Sequence, residues 1–286
     1  MYKYDVKSLK AEEFINNEEI LETLAYAEEN KNNLELIQTI LEKARPVKKN
    51  KGYVCNGLSH REASVLLACD IPEINEEINK IAEEIKLAFY GNRIVMFAPL
   101  YLSNYCINGC VYCPYHAKNK TIARKKLTQE EVKEQVIALQ DMGHKRLAIE
   151  AGEDPFNNPI EYILDSIKTI YSVNHKNGAI RRVNVNIAAT TVENYKKLAD
   201  AGIGTYILFQ ETYNKKSYEE LHPTGPKHDY CYHTEAMDRA MEGGIDDVGL
   251  GVLFGLEGYK YEFAGLLMHA EHLEAVHGVG PCLLYT

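Results

Sequence analysis

The sequence predicts an α/β fold: an incomplete (β/α) barrel of the TIM type, with about five βα units, preceded by N-terminal helices. Two observations indicate this fold. From residue 94 onward, apolar runs of strand length recur, and each is followed by a segment with helical periodicity. The runs do not alternate between polar and apolar residues, which is typical of parallel strands covered by helices on both faces. A doubly wound open sheet is the competing layout.

The residues before the barrel are predicted to be helical. Residues 16–45 place leucine and isoleucine at three- and four-residue steps. Ser59 and Glu62 match the capping-box pattern ahead of an apolar run, and a longer helix follows Pro72 and closes at Gly91. We therefore divide the chain into an N-terminal helical extension (1–90) and a partial barrel (91–286).

Five strands are predicted in the barrel, each followed by a helix. The strands are Ile94–Leu100, Leu147–Glu150, Val183–Ala189, Tyr206–Phe209 and Val248–Phe254. The helices are predicted over roughly 128–142, 158–174, 191–201, 231–243 and 260–276. A closed barrel needs eight strands, so the predicted barrel is incomplete.

Composition and charge exclude several classes of function. The net charge of −9 and the absence of a basic stripe argue against binding to nucleic acid. The short basic run that begins at Arg124 is interpreted as a solvated helix entry. The N-terminus has no apolar signal segment, and no run of about 18 apolar residues suggests a membrane span. The seven cysteines form no small-domain disulfide pattern, which favours a cytoplasmic protein.

Three of the seven cysteines, Cys106, Cys110 and Cys113, lie within eight residues in the spacing C-x3-C-x2-C. They follow the first predicted strand, at the end where barrel enzymes gather their functional residues. Three thiolates can ligate three irons of a [4Fe–4S] cluster, where four cysteines are usual. The fourth iron then keeps an open position, as catalytic zinc does. A Cys3His zinc site completed by His116 is the alternative, and buried cysteines without a metal are a second.

This motif, with the aromatic Tyr112 directly before its third cysteine, resembles the radical S-adenosylmethionine (SAM) superfamily. In that superfamily the open iron chelates the methionine part of SAM, and one electron from the reduced cluster cleaves SAM to a 5′-deoxyadenosyl radical. The resemblance implies a radical SAM barrel, a [4Fe–4S] cluster bound by Cys106, Cys110 and Cys113, and S-adenosyl-L-methionine as the second cofactor.

Between about residue 50 and Pro281 the chain resembles a narrower group, the HydG family of tyrosine lyases that mature [FeFe] hydrogenase. The matching segments include CINGCVYCPYHAKNK, MGHKRLAIEAGEDP, IRRVNVNIAATTVENY, LHPTGPKH and GLLMHAEHLEAVHGVGP. The ThiH-type 2-iminoacetate synthases of thiamine biosynthesis share the architecture and match less closely. The resemblance implies L-tyrosine as the small-molecule substrate, cleaved to p-cresol and dehydroglycine, the precursor of CO and cyanide. It implies other hydrogenase maturases as partners.

The resemblance also implies cofactor-binding residues. Tyr112 stands where relatives pack an aromatic near the adenine. Ala151, Gly152 and Glu153 stand where the superfamily often has Gly-Gly-Glu, whose backbone meets the cofactor's amino group; the first glycine is alanine in this chain. Asn186 matches a ribose-contacting position, and Glu211 is a further expected contact. A plainer interpretation exists for each of them: a helix cap for Glu153, a core polar residue for Asn186 and a surface ion pair for Glu211.

Further residues are expected at the edges of this site. Gly251, with Gly249 and Gly255, would let the backbone approach the adenine. Arg181, Arg182 and His233 are expected either to hold the carboxylate end of the cofactor or to close the site. No catalytic residue is assigned.

The match stops after Pro281, where the family continues into a sixth strand and this chain reads CLLYT. We therefore expect the last three strands, much of the tyrosine pocket and the C-terminal auxiliary-cluster domain to be absent, and CO and cyanide synthesis with them. The fifth strand is expected to expose an unpaired edge. The alternative functions are a 2-iminoacetate synthase, which needs no auxiliary cluster, and an inactive cluster-binding fragment.

Overall fold

A computed structural model describes residues 3–176 and 178–285 of the chain. The N-terminal part is helical, as predicted. Its elements are α1 (Ala11–Phe14), α2 (Asn17–Asn30), α3 (Leu34–Ala44), a hairpin of β1 (Val47–Lys49) and β2 (Gly52–Val54), α4 (His60–Ala68) and α5 (Pro72–Tyr90). The predicted capping box is confirmed: the Glu62 backbone N–H donates to Ser59 Oγ at 3.2 Å, and the Ser59 N–H donates to the Glu62 carboxylate at 2.7 Å.

The remaining residues form strands and helices in alternation. The elements are β3 (Ala98–Ser103), α6 (Gln129–Asp141), β4 (Arg146–Ala151), α7 (Ile160–Ser172), a short hairpin of β5 (Asn174–His175) and β6 (Gly178–Ala179), β7 (Arg182–Asn186), α8 (Val192–Asp200), β8 (Tyr206–Glu211), α9 (Lys215–Leu221), α10 (Tyr230–Thr234), α11 (Ala236–Glu242), β9 (Val248–Val252), α12 (Tyr259–His277) and β10 (Leu283–Tyr285). Pro226–His228 forms a 3₁₀ turn between α9 and α10.

Six of these strands form one parallel sheet in the order β10-β9-β8-β7-β4-β3. Each connection between sheet neighbours passes through at least one helix, as parallel pairing requires. Within the described residues β3 and β10 are the two edges, so the sheet is an open, incomplete barrel. The predicted α/β fold is confirmed.

Two details of the strand prediction are wrong. The first strand begins at Ala98, where pairing with β4 starts, and the apolar residues before it stay outside the sheet: Ile94 is 82% exposed. The fifth strand of the prediction, β9, is not an edge, because Leu283–Tyr285 pairs with it in parallel from Gly249 to Gly251. A three-residue strand is too short to produce a periodic pattern in a sequence, so it escaped prediction.

The described residues form two hydrophobic cores. One lies around the sheet and includes Phe14 and Ile20 of the N-terminal helices, and the other is formed by residues of α2 to α5, such as Ile40 and Val65. The extension also docks on α12, where the buried His60 lies between Glu271 of that helix and Glu19. The division at residue 90 stays a prediction, since the first helices share the core of the sheet. Among the described residues, no helix is both long enough and apolar enough to cross a membrane.

Candidate functional site

A cavity of about 320 Å³ opens where the parallel strands end at their carboxyl termini. This is the edge of the sheet where α/β proteins bind ligands. The cavity is lined by all three cysteines of the motif and by five of the predicted cofactor-binding residues: Tyr112, Gly152, Glu153, Asn186 and Glu211. The structure therefore brings together residues that are more than 100 positions apart in the sequence.

The loop that carries the cysteines is fixed by backbone hydrogen bonds to two other segments. The Ile107 N–H donates to the Glu153 carbonyl at 2.8 Å, which ties the loop to the turn after β4. The Gly109 and Val111 N–H groups donate to the carbonyls of Thr224 and Leu221, at 2.8 and 3.0 Å. An irregular loop must find partners for its backbone polar groups, and these bonds provide them.

The side chain of Arg124 also holds the cysteine loop in place. Its guanidinium donates to four backbone carbonyls of the loop, those of Asn104, Tyr115, His116 and Asn119, at 2.6 to 3.1 Å. The interpretation of Arg124 as part of a solvated helix entry is therefore wrong. Sequence pattern alone could not reveal this role, because the acceptors are main-chain atoms of a loop without regular structure.

Asn108 connects the cysteine loop to the rest of the cavity. It is 2% exposed, and its side-chain amide donates to the Glu153 carboxylate at 2.6 Å and approaches Cys106 Sγ at 3.8 Å. Its side-chain oxygen accepts from the Lys227 backbone N–H at 3.0 Å. The sequence analysis did not single out Asn108, and its position between two cysteines was the only available signal.

The arrangement of the thiols bears on which metal they could hold. Among residues 3–176 and 178–285, no group of three or more His, Cys, Asp or Glu side chains converges as a single metal ion requires. In an iron–sulfur cubane each thiolate binds a different iron, so the sulfurs need not meet at one point.

The cysteines sit in a buried environment. Burial raises the pKa of Cys110 to about 11, although the nearby Lys227 lowers it, and burial also raises the pKa of Cys113. A thiol of high pKa stays protonated in water, whereas a bound metal holds it as the thiolate. The metal-free chain therefore carries neutral thiols at these two positions near pH 7.

Tyr112 is held in place through a histidine. Its hydroxyl lies 2.8 Å from His222 Nε2, and the two rings meet edge to face. His222 Nδ1 lies 2.6 Å from the Tyr218 carbonyl, which can only accept, so Nδ1 carries the proton and Nε2 accepts from Tyr112. Burial, together with Lys227, lowers the pKa of His222 to about 4, which keeps the ring neutral.

The turn after β4 brings Gly152 against the cysteine loop. A Cβ atom on Gly152 would lie 2.4 Å from the Tyr105 carbonyl oxygen and 3.0 Å from Cys106 Cβ. The Asn158 side chain locks this contact by donating to the carbonyls of Tyr105 and Gly152, at 3.0 and 2.8 Å. Glycine is therefore required here for close approach and not for backbone conformation.

Two carboxyl groups of the cavity have raised pKa values. Burial raises the pKa of Glu150 to about 7, against the opposing effect of the neighbouring Asn186 side chain. Burial also raises the pKa of Glu153, which Asn108 and Lys227 partly offset. Glu150 was not among the predicted site residues, although Asn186 stands opposite it on the next strand.

Glu211 ends β8 in an unusual backbone conformation. Its φ is +70°, in the left-handed region that non-glycine residues rarely adopt, and a register irregularity accompanies it. Its carboxylate accepts from Lys227 Nζ at 2.6 Å, and both side chains are largely buried. Burial alone would lower the pKa of Lys227, but Glu211 outweighs it and the pKa is raised.

Glu262 of α12 holds the turn that follows Glu211. This fully buried carboxylate accepts from the Thr212 hydroxyl and from the Tyr213 backbone N–H, the latter at 2.8 Å. Burial raises the pKa of Glu262 to about 7, although both donors lower it. The left-handed conformation of Glu211 is thus supported on one side by Lys227 and on the other by this turn.

Replacing Glu262 by glutamine is expected to weaken the pH dependence of stability. A carboxyl whose pKa is higher in the folded chain than in the unfolded chain destabilises the fold as pH rises through that interval, here from 4.5 to about 7. That pKa difference corresponds to a loss on the order of 3 kcal/mol in the free energy of unfolding. The introduced glutamine side chain would stay neutral, and it can still accept from Tyr213 N–H and donate to Thr212.

Urea unfolding at about pH 5 and pH 8 measures this difference. We expect the stability of the Glu262→Gln protein to fall less between the two pH values than that of the unchanged protein. Glu274→Gln, at an exposed position of the same helix, is the matched control and should behave like the unchanged protein. Equal losses in the two glutamine variants would contradict the burial argument.

The remaining predicted site residues differ in where they lie relative to the cavity. His233 lines the cavity and its Nε2 lies 2.9 Å from the Phe209 carbonyl. Gly251 is not part of the cavity wall: a Cβ there would lie 2.8 Å from the ring of Phe209, which does line it. Gly249 lies within β9, and Gly255 lies in the turn beyond it with φ +106°.

The expectation for Arg181 and Arg182 is wrong. Both lie at the amino end of β7, opposite the cavity, and Arg182 forms an ion pair with Asp247. The sequence predicts that these arginines lie on or beside a strand. Until the limits of the strand are known, it does not show whether they lie at its amino end or at the carboxyl end, where ligands bind.

Comparison with known proteins agrees with this geometry. The sequence profile of the radical SAM superfamily matches residues 100–268, which is more than half of the chain. The 2-iminoacetate synthase of Salmonella typhimurium (strain LT2) is 30% identical over 217 residues, which cover 76% of this chain and 55% of that protein.

Solved structures give a closer similarity. A crystal structure of HydG, a maturase of the [FeFe]-hydrogenase, is 57% identical with a TM-score of 0.87, over 95% of this chain and 58% of that chain. HydG from Carboxydothermus hydrogenoformans is 38% identical with a TM-score of 0.82, over 96% of this chain and 62% of that chain. The chain thus spans a little over half the length of these relatives.

Proposed function

The chain belongs to the radical SAM superfamily, and on that premise we propose that Cys106, Cys110 and Cys113 hold a [4Fe–4S] cluster beside a SAM-binding cavity. One observation carries the proposal: all three thiols line one cavity at the carboxyl ends of the parallel strands. The donor set fits the group, because three thiolates satisfy three irons and leave one for the cofactor.

The cavity also fits the second cofactor. Its volume of about 320 Å³ falls at the lower end of the range for small-molecule sites, roughly 300–1,000 Å³. SAM carries an ammonium group, a carboxylate and a positive sulfonium. Of the three glutamates that line the cavity, Glu211 is paired with Lys227, and Glu150 and Glu153 are placed to suit a ligand with two positive groups.

Each lining residue has a proposed task. The turn at Gly152 and Glu153 offers backbone and carboxylate oxygens to the ammonium group of SAM. The Tyr112 ring, fixed by His222, offers a flat face to the adenine, and Asn186 and Glu211 offer hydrogen bonds to the ribose. Gly251 acts through Phe209, for whose ring it leaves space.

The proposed reaction is that of a tyrosine lyase. When bound, the cluster and SAM supply a 5′-deoxyadenosyl radical, and L-tyrosine is then cleaved to p-cresol and dehydroglycine. The similarity to two HydG structures over at least 95% of this chain supports this choice. Because the chain spans 55–62% of its relatives' length, the reaction proposed for this chain ends at dehydroglycine. That this product feeds the supply of CO and cyanide, in cooperation with other hydrogenase maturases, is the proposed context, and synthesis of CO and cyanide by this chain alone is not expected.

A second candidate is a 2-iminoacetate synthase of the thiamine pathway. It is favoured by the similarity to the Salmonella enzyme of that name over 76% of this chain. Both candidates use the same cluster and the same cavity, so the residues described above would carry the same tasks in either.

Anaerobic reconstitution with iron and sulfide tests the proposal. The protein, reduced by dithionite, is incubated with SAM, with and without L-tyrosine. We expect 5′-deoxyadenosine in the reaction and p-cresol only when tyrosine is present. The triple variant Cys106→Ala, Cys110→Ala, Cys113→Ala is the control and should give neither product.

The product pattern separates the alternatives. p-Cresol without CO or cyanide is expected of both candidates, and p-cresol together with CO and cyanide would favour the hydrogenase-maturation role and contradict the expectation that this chain makes neither. A cluster that never cleaves SAM supports an inactive cluster-binding fragment. One zinc and no iron per chain in protein purified without air would overturn the proposal.

A further inference from the structure

The segment from Leu221 to His228, LHPTGPKH, resembles a family motif, and the tasks assigned above use it through His222, which fixes the Tyr112 ring. In the structure it forms the wall against which the cysteine loop is folded. The carbonyls of Leu221 and Thr224 accept from the loop N–H groups of Val111 and Gly109, and His222 accepts from Tyr112. The segment thus holds the loop at several residues between Cys106 and Cys113.

Gly225 lets this wall approach the loop. Its φ is +93°, and a Cβ on it would lie 2.3 Å from Asn108 Oδ1 and 2.7 Å from Asn108 Cα. The close approach directs the next part of the segment, the 3₁₀ turn Pro226–His228, toward the cysteine loop. Lys227 lies in that turn, and its backbone N–H donates to Asn108.

Lys227 is a buried cation beside the cysteines. Its side chain lines the cavity, is 17% exposed and donates to Glu211 at 2.6 Å. Its side chain lines the same cavity as Cys110 and Cys113, and its backbone N–H binds Asn108, whose amide approaches Cys106 Sγ at 3.8 Å. Among the described residues that line the cavity, it is the one lysine or arginine.

We propose that Lys227 and Glu211 are an opposed pair of charges that sets the reduction potential of the cluster. Reduction adds one electron, donated by an external reductant, to a group that already carries the thiolate charges. A buried cation nearby stabilises the reduced state and a buried carboxylate destabilises it, because both act at low dielectric. Lys227 is a positioning residue in this scheme, since it acts through the cluster ligands and does not bind substrate.

The pair predicts effects of opposite sign. Removing one member of a buried ion pair leaves the charge of the other uncompensated. Lys227→Met would leave the Glu211 carboxylate next to the cluster and lower the reduction potential. Glu211→Gln would leave the lysine and raise it. The double variant, which carries neither charge, should return toward the unchanged protein.

An anaerobic redox titration followed by electron paramagnetic resonance tests the inference, which rests on the proposed cluster. It is run without SAM, so that the loss of a cofactor contact does not enter. We expect Lys227→Met to lower the reduced-to-oxidised ratio at fixed potential by about tenfold, which is about 59 mV for one electron, and Glu211→Gln to raise it. Lys227→Arg, which keeps the charge, and Lys216→Met, at an exposed position of α9, should match the unchanged protein.

The outcomes are distinguishable. Potentials that are equal in the unchanged protein and in both charge variants, or shifts of the same sign in both, overturn the inference and leave the proposed cluster standing. An unchanged protein that takes up no cluster overturns the proposed function and the inference with it. If Lys227→Met does not retain a cluster, the sign of the Glu211→Gln shift decides alone.

Discussion

Replacing Arg124 by methionine is expected to release the cluster while leaving the fold intact. The guanidinium donates to four carbonyls of the cysteine loop, and methionine fills a similar volume with no donor. A hydrogen bond to a charged group contributes about 1.5–3 kcal/mol, more than a neutral one. Losing even one or two of these bonds changes the balance between the ordered and disordered loop by roughly a hundredfold.

Iron content measures whether the cluster is released, and circular dichroism measures whether the fold stays intact. After anaerobic reconstitution and desalting, the Arg124→Met protein should hold little iron, and its far-ultraviolet spectrum should be unchanged, because Arg124 contacts no strand of the sheet through these bonds. Lys125→Met is the matched control: the side chain of the neighbouring lysine is exposed and forms an ion pair with Glu131, away from the carbonyls that Arg124 binds. Full iron content in the Arg124→Met protein would contradict the prediction, because it would show that the cysteine loop is ordered without the hydrogen bonds of the Arg124 guanidinium.

Replacing Gly152 by alanine is expected to weaken SAM binding by about tenfold to a hundredfold. The added Cβ would lie 2.4 Å from the Tyr105 carbonyl oxygen and 3.1 Å from its carbon. Both neighbours are backbone atoms, so no side-chain rotation relieves the contact, and the turn must move away from the cysteine loop. Overpacking of this kind typically costs about 1–3 kcal/mol, which corresponds to the stated range.

Anaerobic equilibrium dialysis with labelled SAM measures the dissociation constant of the cluster-loaded protein. Gly57→Ala is the control, because a Cβ on Gly57 meets nothing within 4 Å. If both variants bind SAM as the unchanged protein does, the turn at Gly152 is not part of the SAM site.

The sequence was sufficient for the features that depend on local pattern. The order of strands and helices could be predicted from apolar periodicity, and the three cysteines could be recognised as a motif by their spacing. Glu153, Asn186 and Glu211 were expected at one site because of the resemblance to the radical SAM superfamily, and their places near strand ends agree with the rule that parallel strands present their carboxyl ends at one edge.

The features that were missed depend on contacts between distant segments. Asn108 forms hydrogen bonds with Glu153, which is 45 residues away in the sequence, and with Lys227, which is 119 residues away. Arg124 donates to main-chain carbonyls, a group that every residue carries. No periodic pattern marks such contacts, so the wall formed by Leu221–His228 was visible only as a resemblance. Ile94 illustrates an error of overprediction. It was included in a strand because it begins an apolar run, but such a run does not reveal whether other residues cover it, and Ile94 is exposed.

The central claim is that three cysteines leave one iron of a cubane free for SAM. Electron paramagnetic resonance of the dithionite-reduced, cluster-loaded protein, recorded before and after addition of SAM, tests it most directly. The account predicts a cubane signal that changes when SAM is added and that is absent from the triple cysteine variant. A signal that stays the same at saturating SAM would contradict it.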